Sequence, residues 1–176
     1  GEARGVQRHR AVLAPAMDRR NDDAITASLR IISYRPRSES ELRGKLMEKG
    51  FEPADISVAI EYLAGSGYID DERYAMDLSQ SRTRNKGWGP AKIAADLARR
   101  GICKEAMAKA LLPLATAEEE TARAALEKWA RKTGARPPLK DNLYEKAARH
   151  LKARGFRTGV IIKVIKGFCP TDENAI

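Results

Sequence analysis

The chain has 176 residues, 43% of them hydrophobic but only 6% aromatic, and carries a formal net charge of +9. This composition supports a globular fold with an aliphatic core, and no apolar run is long enough for a membrane span or a signal-peptide core. Two lone cysteines, Cys103 and Cys169, and two isolated histidines, His9 and His150, argue against a disulfide framework and a structural zinc site, and they fit a reducing cytoplasm.

Residues 1–21 hold Arg4, Arg8, Arg10, Arg19 and Arg20 with little apolar periodicity, and are expected to form a mobile basic arm. A first helix is predicted from near Asp22 to Tyr34, with Ile25, Leu29 and Ile32 at helical spacing and Pro36 beyond its end. A capping box, Ser38 with Glu41, starts a second helix. Leu42 and Leu46 face inward there, and Gly50 is its stop. Pro53 opens a third helix with a stripe of Ile56, Ile60 and Leu63, ended by Gly65.

Asp70, Asp71 and Glu72 come next. Asp70 is a good N-cap, and the following carboxylates suit a helix N-terminus. Three carboxylates in a row also suit a metal-dependent nuclease, but no second acidic or histidine cluster follows to complete a ligand set, so capping is expected. This fourth helix runs to Lys86 with Tyr74, Ala75 and Leu78 on one side; Gly87, Trp88, Gly89 and Pro90 end it and start the fifth. Ile93 and Leu97 face inward before a stop at Gly101. The sixth helix is expected from Lys104 to about Leu112, with Met107 and Leu111 inward and Pro113 after it. A second capping box, Thr116 with Glu119, is read before a seventh helix carrying Ala122, Leu126 and Trp129 and ending near Gly134. Pro137 and Pro138 form a stiff connector. The eighth helix begins near Asp141, buries Tyr144, Ala148 and Leu151, and ends at Gly155. The ninth starts near Thr158, uses Ile161, Val164 and Ile165, and ends at Gly167. Residues 169–176 are expected to form a frayed tail.

The strongest signal is an internal repeat. Leu42, Leu46, Gly50, Phe51, Ile56 and Ile60 recur at identical offsets as Ile93, Leu97, Gly101, Ile102, Met107 and Leu111. They recur again as Ala147, Leu151, Gly155, Phe156, Ile161 and Ile165, and a basic residue precedes each glycine: Lys49, Arg100, Arg154. The expected fold is all-α: three tandem three-helix-bundle repeats, about nine helices, in an elongated, curved array. The repeats span residues 22–67, 68–113 and 114–168. Units of this size bury little core alone, so neighbours are expected to support one another, with Tyr68 and Tyr74 packing the first on the second.

The run Ser38, Glu41-Leu42, Lys45-Leu46 and Lys49-Gly50-Phe51, followed by Gly67-Tyr68-Ile69-Asp70-Asp71 and Tyr74-Ala75, resembles the RecX family of regulators of the bacterial RecA recombinase. The likeness continues through Arg82, Lys86-Gly87, Gly89-Pro90, Ile93, Leu97 and Arg100-Gly101-Ile102, and covers the third repeat more loosely. The resemblance implies a non-enzymatic protein that lies in the groove of the RecA–DNA filament. It implies slower ATP hydrolysis and strand exchange, a blunted coprotease role, and DNA binding.

The residues themselves carry no catalytic constellation. The Gly87–Pro90 turn lacks the Lys and Ser/Thr of a phosphate loop, and no Ser or Cys has a histidine base, so neither an enzyme nor a cofactor is expected. Function is read from cations. Arg82, Arg84, Lys86, Lys92, Arg99, Arg100 and Lys104 stand against the single acid Asp96, which is expected to pair with Lys92 at i,i+4. Lys152, Arg154 and Arg157 belong to a second basic stretch. All ten are candidates for contact with a partner or with DNA phosphates, on single or double strands and without sequence selectivity. Trp88 is either an exposed anchor or a plug at the junction of the fourth and fifth helices. A monomer acting in the cytoplasm is expected. The competing reading is a general or helix-turn-helix-like DNA-binding protein that works without RecA.

Overall fold

A computed structural model describes residues 19–137, 139 and 141–168. Among the described residues the chain forms nine α-helices and no strand. They are α1 (Arg19–Tyr34), α2 (Glu39–Glu48), α3 (Pro53–Gly65), α4 (Asp71–Lys86), α5 (Pro90–Arg99), α6 (Lys104–Thr116), α7 (Glu118–Thr133), α8 (Asp141–Ala153) and α9 (Thr158–Phe168). Residues 1–18 of the expected arm, Pro138 of the connector and the tail after residue 168 lie outside the described residues. Arg19 and Arg20 belong to α1, which starts three residues before the predicted Asp22.

Local chemistry sets most boundaries. The Ser38 hydroxyl accepts from the Glu41 N–H, and the Glu41 carboxylate accepts from the Ser38 N–H, so the first capping box forms. Asp70 accepts from the Arg73 N–H at 3.0 Å, which makes it the cap of α4. The second capping box does not form. Pro113 sits inside α6, which runs on to Thr116, so Ala117 becomes the junction residue of two nearly continuous helices. A proline this near the helix end removes one i→i−4 bond, but its own carbonyl still accepts: Ala117 N–H donates to the Pro113 carbonyl at 3.2 Å.

Each trio of helices closes on its own aliphatic core. Leu42, Leu46, Ile56, Ile60, Leu63 and Ile69 form the first, extended by Ala24, Ile25 and Ala59. Ala75, Ile93, Leu97, Ile102, Ala106 and Ala110 form the second. The third holds Ala122, Leu126, Ala147, Leu151, Phe156, Ile161, Val164 and Ile165. One register detail departs from the sequence pattern. Ala106 and Ala110 are the buried residues of α6, while Met107 and Leu111 are only partly buried. Small alanines let α6 approach α4 closely, and the larger side chains flank the contact.

The three bundles follow one another through two seams built alike. In the first, the Ser38 hydroxyl donates to the Arg100 carbonyl at 2.5 Å, and Gly101 packs on Ser40. In the second, the Gly89 and Ala91 N–H groups donate to the Arg154 and Gly155 carbonyls at 2.7 and 3.2 Å. Each seam therefore seats the glycine turn of one repeat on the start of the second helix of the repeat before it. Gly101 and Gly155 have φ of 75° and 85°, the left-handed region, and a Cβ on either would collide with Ser40 or with the Lys92 backbone. Gly50 holds the same turn at φ 84° with open space around it, because no repeat precedes it.

This contrast predicts a graded result. Gly50→Ala should cost about 1–2 kcal/mol, the left-handed backbone penalty alone. Gly155→Ala should cost a further ~1–3 kcal/mol, since overpacking pushes the seam apart. Equilibrium urea unfolding of both variants measures the difference; equal costs would mean that the glycine is needed only for its own turn.

Candidate partner and nucleic-acid interface

The structure separates the candidate cations into two kinds. The first kind braces the fold. Asp96 on α5 is 5% exposed, and three arginines converge on it. Arg82 from α4 lies 3.0 Å from one carboxylate oxygen, and Arg99 and Arg100 lie 3.1 and 3.4 Å from the other. Arg100 also crosses the first seam. It donates to Glu41 at 3.1 Å and to the Tyr74 hydroxyl at 2.7 Å, and that hydroxyl donates to Glu41 at 3.1 Å. The expected pair of Asp96 with Lys92 is not made. Lys92 turns the opposite way and donates to the Ala153 carbonyl of the third repeat at 2.8 Å.

Arg154 occupies the place in the third repeat that Arg100 holds in the second, and it does equivalent work. Its guanidinium donates across the second seam to the Lys86 and Gly87 carbonyls and back onto α8 to His150 at 2.9 Å. Burial, then the Arg154 charge, hold the His150 pKa below its ordinary value, so the ring is neutral and accepts this bond. Arg157 braces the third bundle from its surface: its backbone N–H and its exposed side chain both donate to Glu118, which is 1% exposed. Glu118 lies in the first turn of α7, and from there it holds the entry to α9.

The second kind faces solvent. Arg84, Lys104 and Lys152 are exposed and have no ion-pair partner among the described residues. Lys86 is also exposed, with its ammonium 5.2 Å from the centre of the Trp88 ring. Arg82 and Lys92 bracket the same indole at 5.2 and 4.9 Å. Trp88 is half-buried against the second core, which matches the plug reading, with one part of the ring still open. Beneath it, between repeats two and three, lies a cleft of about 470 Å³ whose lining includes Lys86, Lys92, Lys128, His150 and Arg154. A larger groove of about 750 Å³ runs between repeats one and two and has mixed charge, with Arg35, Arg37 and Arg73 facing Asp70 and Asp77. Tyr68 lines it and is 58% exposed, so Tyr74 alone of the two tyrosines ties the repeats together.

Sequence reasoning missed Glu41, Glu118, Lys128 and His150. Glu41 was visible only as a cap, and nothing local announces its second partner 59 residues away. Lys128 and His150 lie on separate helices that only the fold brings to one cleft. Among the described residues no helix is long and apolar enough to cross a membrane.

Comparison with known proteins gives a consistent result. The family model described as RecX, first three-helix domain, matches residues 24–63, and that described as RecX, second three-helix domain, matches residues 70–111. The regulatory protein RecX of Acidithiobacillus ferrooxidans is 32% identical over 151 residues, covering 86% of this chain and 93% of the relative. That of Xanthomonas campestris is 34% identical over 145 residues, 81% of this chain and 87% of the relative. The crystal structure of RecX from Lactobacillus salivarius superposes with a TM-score of 0.76 at 24% identity, over 86% of this chain and 98% of that one.

The Asp96 and Glu41 network makes a pH prediction. Burial alone would raise both carboxyls. For Asp96 the Arg82 hydrogen bond and the charges of Arg100, Arg82 and Arg99 outweigh it, and for Glu41 the bonds from Ser38 and Arg35, the Arg100 charge and the Tyr74 bond do, so both fall below the ordinary range. A lowered folded-state pKa adds stability above the unfolded value, and that stability is lost as pH falls through the folded one. Asp71 opposes this in part, since burial and nearby carboxylates raise its pKa. Stability should therefore fall below about pH 4, where unfolded carboxyls protonate. Asp96→Ala should cost about 3–5 kcal/mol at neutral pH, because it strands buried guanidinium groups, and should flatten the acid limb. Urea midpoints of both proteins from pH 3 to 7 measure this; parallel curves would contradict it.

Proposed function

This chain belongs to the RecX family of regulatory proteins, and we propose that it inhibits the RecA recombinase by lying along the groove of the RecA–DNA filament. The observation that carries the reading is the division of the cations. Arg82, Arg100, Arg154 and Arg157 are committed to internal bonds, and the bonds of Arg100 and Arg154 fix one repeat against the next. A row of bundles braced in this way holds Arg84, Lys86, Lys104 and Lys152 at set distances. A ligand with its own regular spacing, such as a protein–DNA filament, is what fixed spacing suits. Bound across neighbouring subunits, the protein would slow the conformational cycle that ATP hydrolysis, strand exchange and coprotease function require. It acts as a cytoplasmic monomer and needs no catalytic step.

The third helices argue for DNA contact without sequence reading. α3, α6 and α9 contain no Arg, Asn or Gln, and of the side chains that pair with purine edges in a major groove they hold only Lys, of which Lys109 and Lys163 are already paired with Glu72 and Glu119. Phosphate contact by exposed cations remains, and it weakens steeply with salt.

The test is RecA ATP hydrolysis on single-stranded DNA, titrated with this protein. Hydrolysis should fall as the protein is added. A variant with Arg84→Glu and Lys104→Glu should need at least about tenfold more protein for half-inhibition, while its thermal unfolding stays within about 0.5 kcal/mol of the parent, as for exposed sites. Arg82 is unsuitable for such a test because Asp96 is its partner. Unchanged hydrolysis with the parent protein would refute the reading. Full inhibition by the folded variant would move the working surface to the third repeat.

A further inference from the structure

The cleft between repeats two and three holds an unusual balance of groups. Lys86, Lys92, Lys128 and Arg154 line it with the neutral His150, and no carboxylate does. The indole of Trp88 forms one wall, with the Lys86 and Lys92 ammonium groups 5.2 and 4.9 Å from its centre. Lys92 and Arg154 already donate to carbonyls across the seam, whereas Lys86 and Lys128 make no ion pair and donate no hydrogen bond among the described residues. Here several positive groups crowd around an aromatic face, which offsets only part of their mutual repulsion. A bare anion would satisfy the charges but would make no use of the indole. A ligand with a flat π-face and a negative backbone uses both.

We propose that this cleft is a binding site for one unpaired nucleotide of single-stranded DNA, with the base stacked on Trp88 and its flanking phosphates on Lys86, Lys92 and Lys128. The volume of about 470 Å³ suits a ligand of that size. Gly87 and Gly89 on either side of Trp88 present no side chain that would block its edge. Lys86 is exposed and flexible, so its ammonium leaves the ring for a phosphate as the base arrives. Lys128 reaches in from α7, so the site draws on two repeats and exists only when the second seam is closed. A duplex does not fit this chemistry, because its bases are stacked on one another and offer only phosphates. The inference deepens the DNA-contact part of the proposed function, and its test contains no recombinase, so either can fail without the other.

The experiment uses the full chain carrying Trp129→Phe, which leaves Trp88 as the sole indole. Its emission is followed while a ten-residue oligothymidylate, the matching duplex, or an abasic strand of equal length is added. The oligothymidylate should quench Trp88, while the duplex and the abasic strand should not. Lys128→Ala, at an exposed position outside the seam contacts, should lower the salt dependence of oligothymidylate binding by about 0.7 in the log–log slope, the share of one phosphate. Trp88→Ala should weaken binding about 5- to 150-fold, as stacked aromatics do. The abasic strand and Lys128→Ala keep Trp88 in place, so the result does not hang on whether Trp88→Ala folds. Absence of quenching by the oligothymidylate, equal quenching by the abasic strand or duplex, or an unchanged slope for Lys128→Ala would each overturn the proposal.

Discussion

The contact on which the molecule depends is the seat of a left-handed glycine turn on the start of a helix in the preceding repeat. It occurs twice, at Gly101 on Ser40 and at Gly155 on Lys92. Bare backbone allows the close approach, and main-chain or hydroxyl hydrogen bonds hold it. The arginine before each glycine then reaches back across the same seam, Arg100 to Glu41 and Arg154 to the end of α4. Bundles of about fifty residues bury limited core on their own. The seams let each bundle lean on its neighbour, and they do so with directional bonds that fix relative orientation. Buried ion pairs add little net stability compared with apolar packing, but breaking one is costly, so a network such as Asp96, Arg100, Glu41 and Tyr74 acts mainly to select one arrangement.

That arrangement changes how the positive charge should be understood. A net charge of +9 suggests a surface given over to a polyanion. Much of the guanidinium inventory is instead structural, and Asp96 and Glu118 are the buried carboxylates it serves. The cations left free stand at positions dictated by the seams. Structural and free cations thus alternate in one short stretch, α4 to α5, where Arg82 is a brace and Arg84, two residues on, is exposed with no ion-pair partner among the described residues.

Much of the fold was legible because it rests on local rules. The Ser38 capping box, the Asp70 cap, the turns at Gly50, Gly101 and Gly155 and most of the apolar offsets appear where spacing and chemistry place them, whereas α6 buries Ala106 and Ala110 in place of Met107 and Leu111, and α9 runs past the expected stop at Gly167 to Phe168. The failures are long-range or compensatory. Pro113 looked like a stop, yet α6 absorbs it near its end. Thr116 with Glu119 looked like a capping box, yet it does not form, and it is the neighbouring Glu118 that pairs with Arg157, 39 residues later. The basic residue before each repeat glycine was visible as a regularity, but its use required knowing that the next repeat folds back onto the last. Of the candidate cleft, Trp88, Lys86 and Lys92 stand out in the sequence, whereas Lys128 and His150 join them only through the second seam.

The most direct test of the central claim is the spread of distances between the first and third repeats. Spin labels at Glu61 on α3 and Ile162 on α9, both exposed, with Cys103→Ser and Cys169→Ser to remove the native thiols, report it by dipolar spectroscopy. Braced seams predict one narrow distance distribution in the free protein, broadened when Arg100→Ala removes the cross-seam bonds. A broad distribution in the parent protein, unaltered by Arg100→Ala, would show that the bundles move independently and would contradict the account.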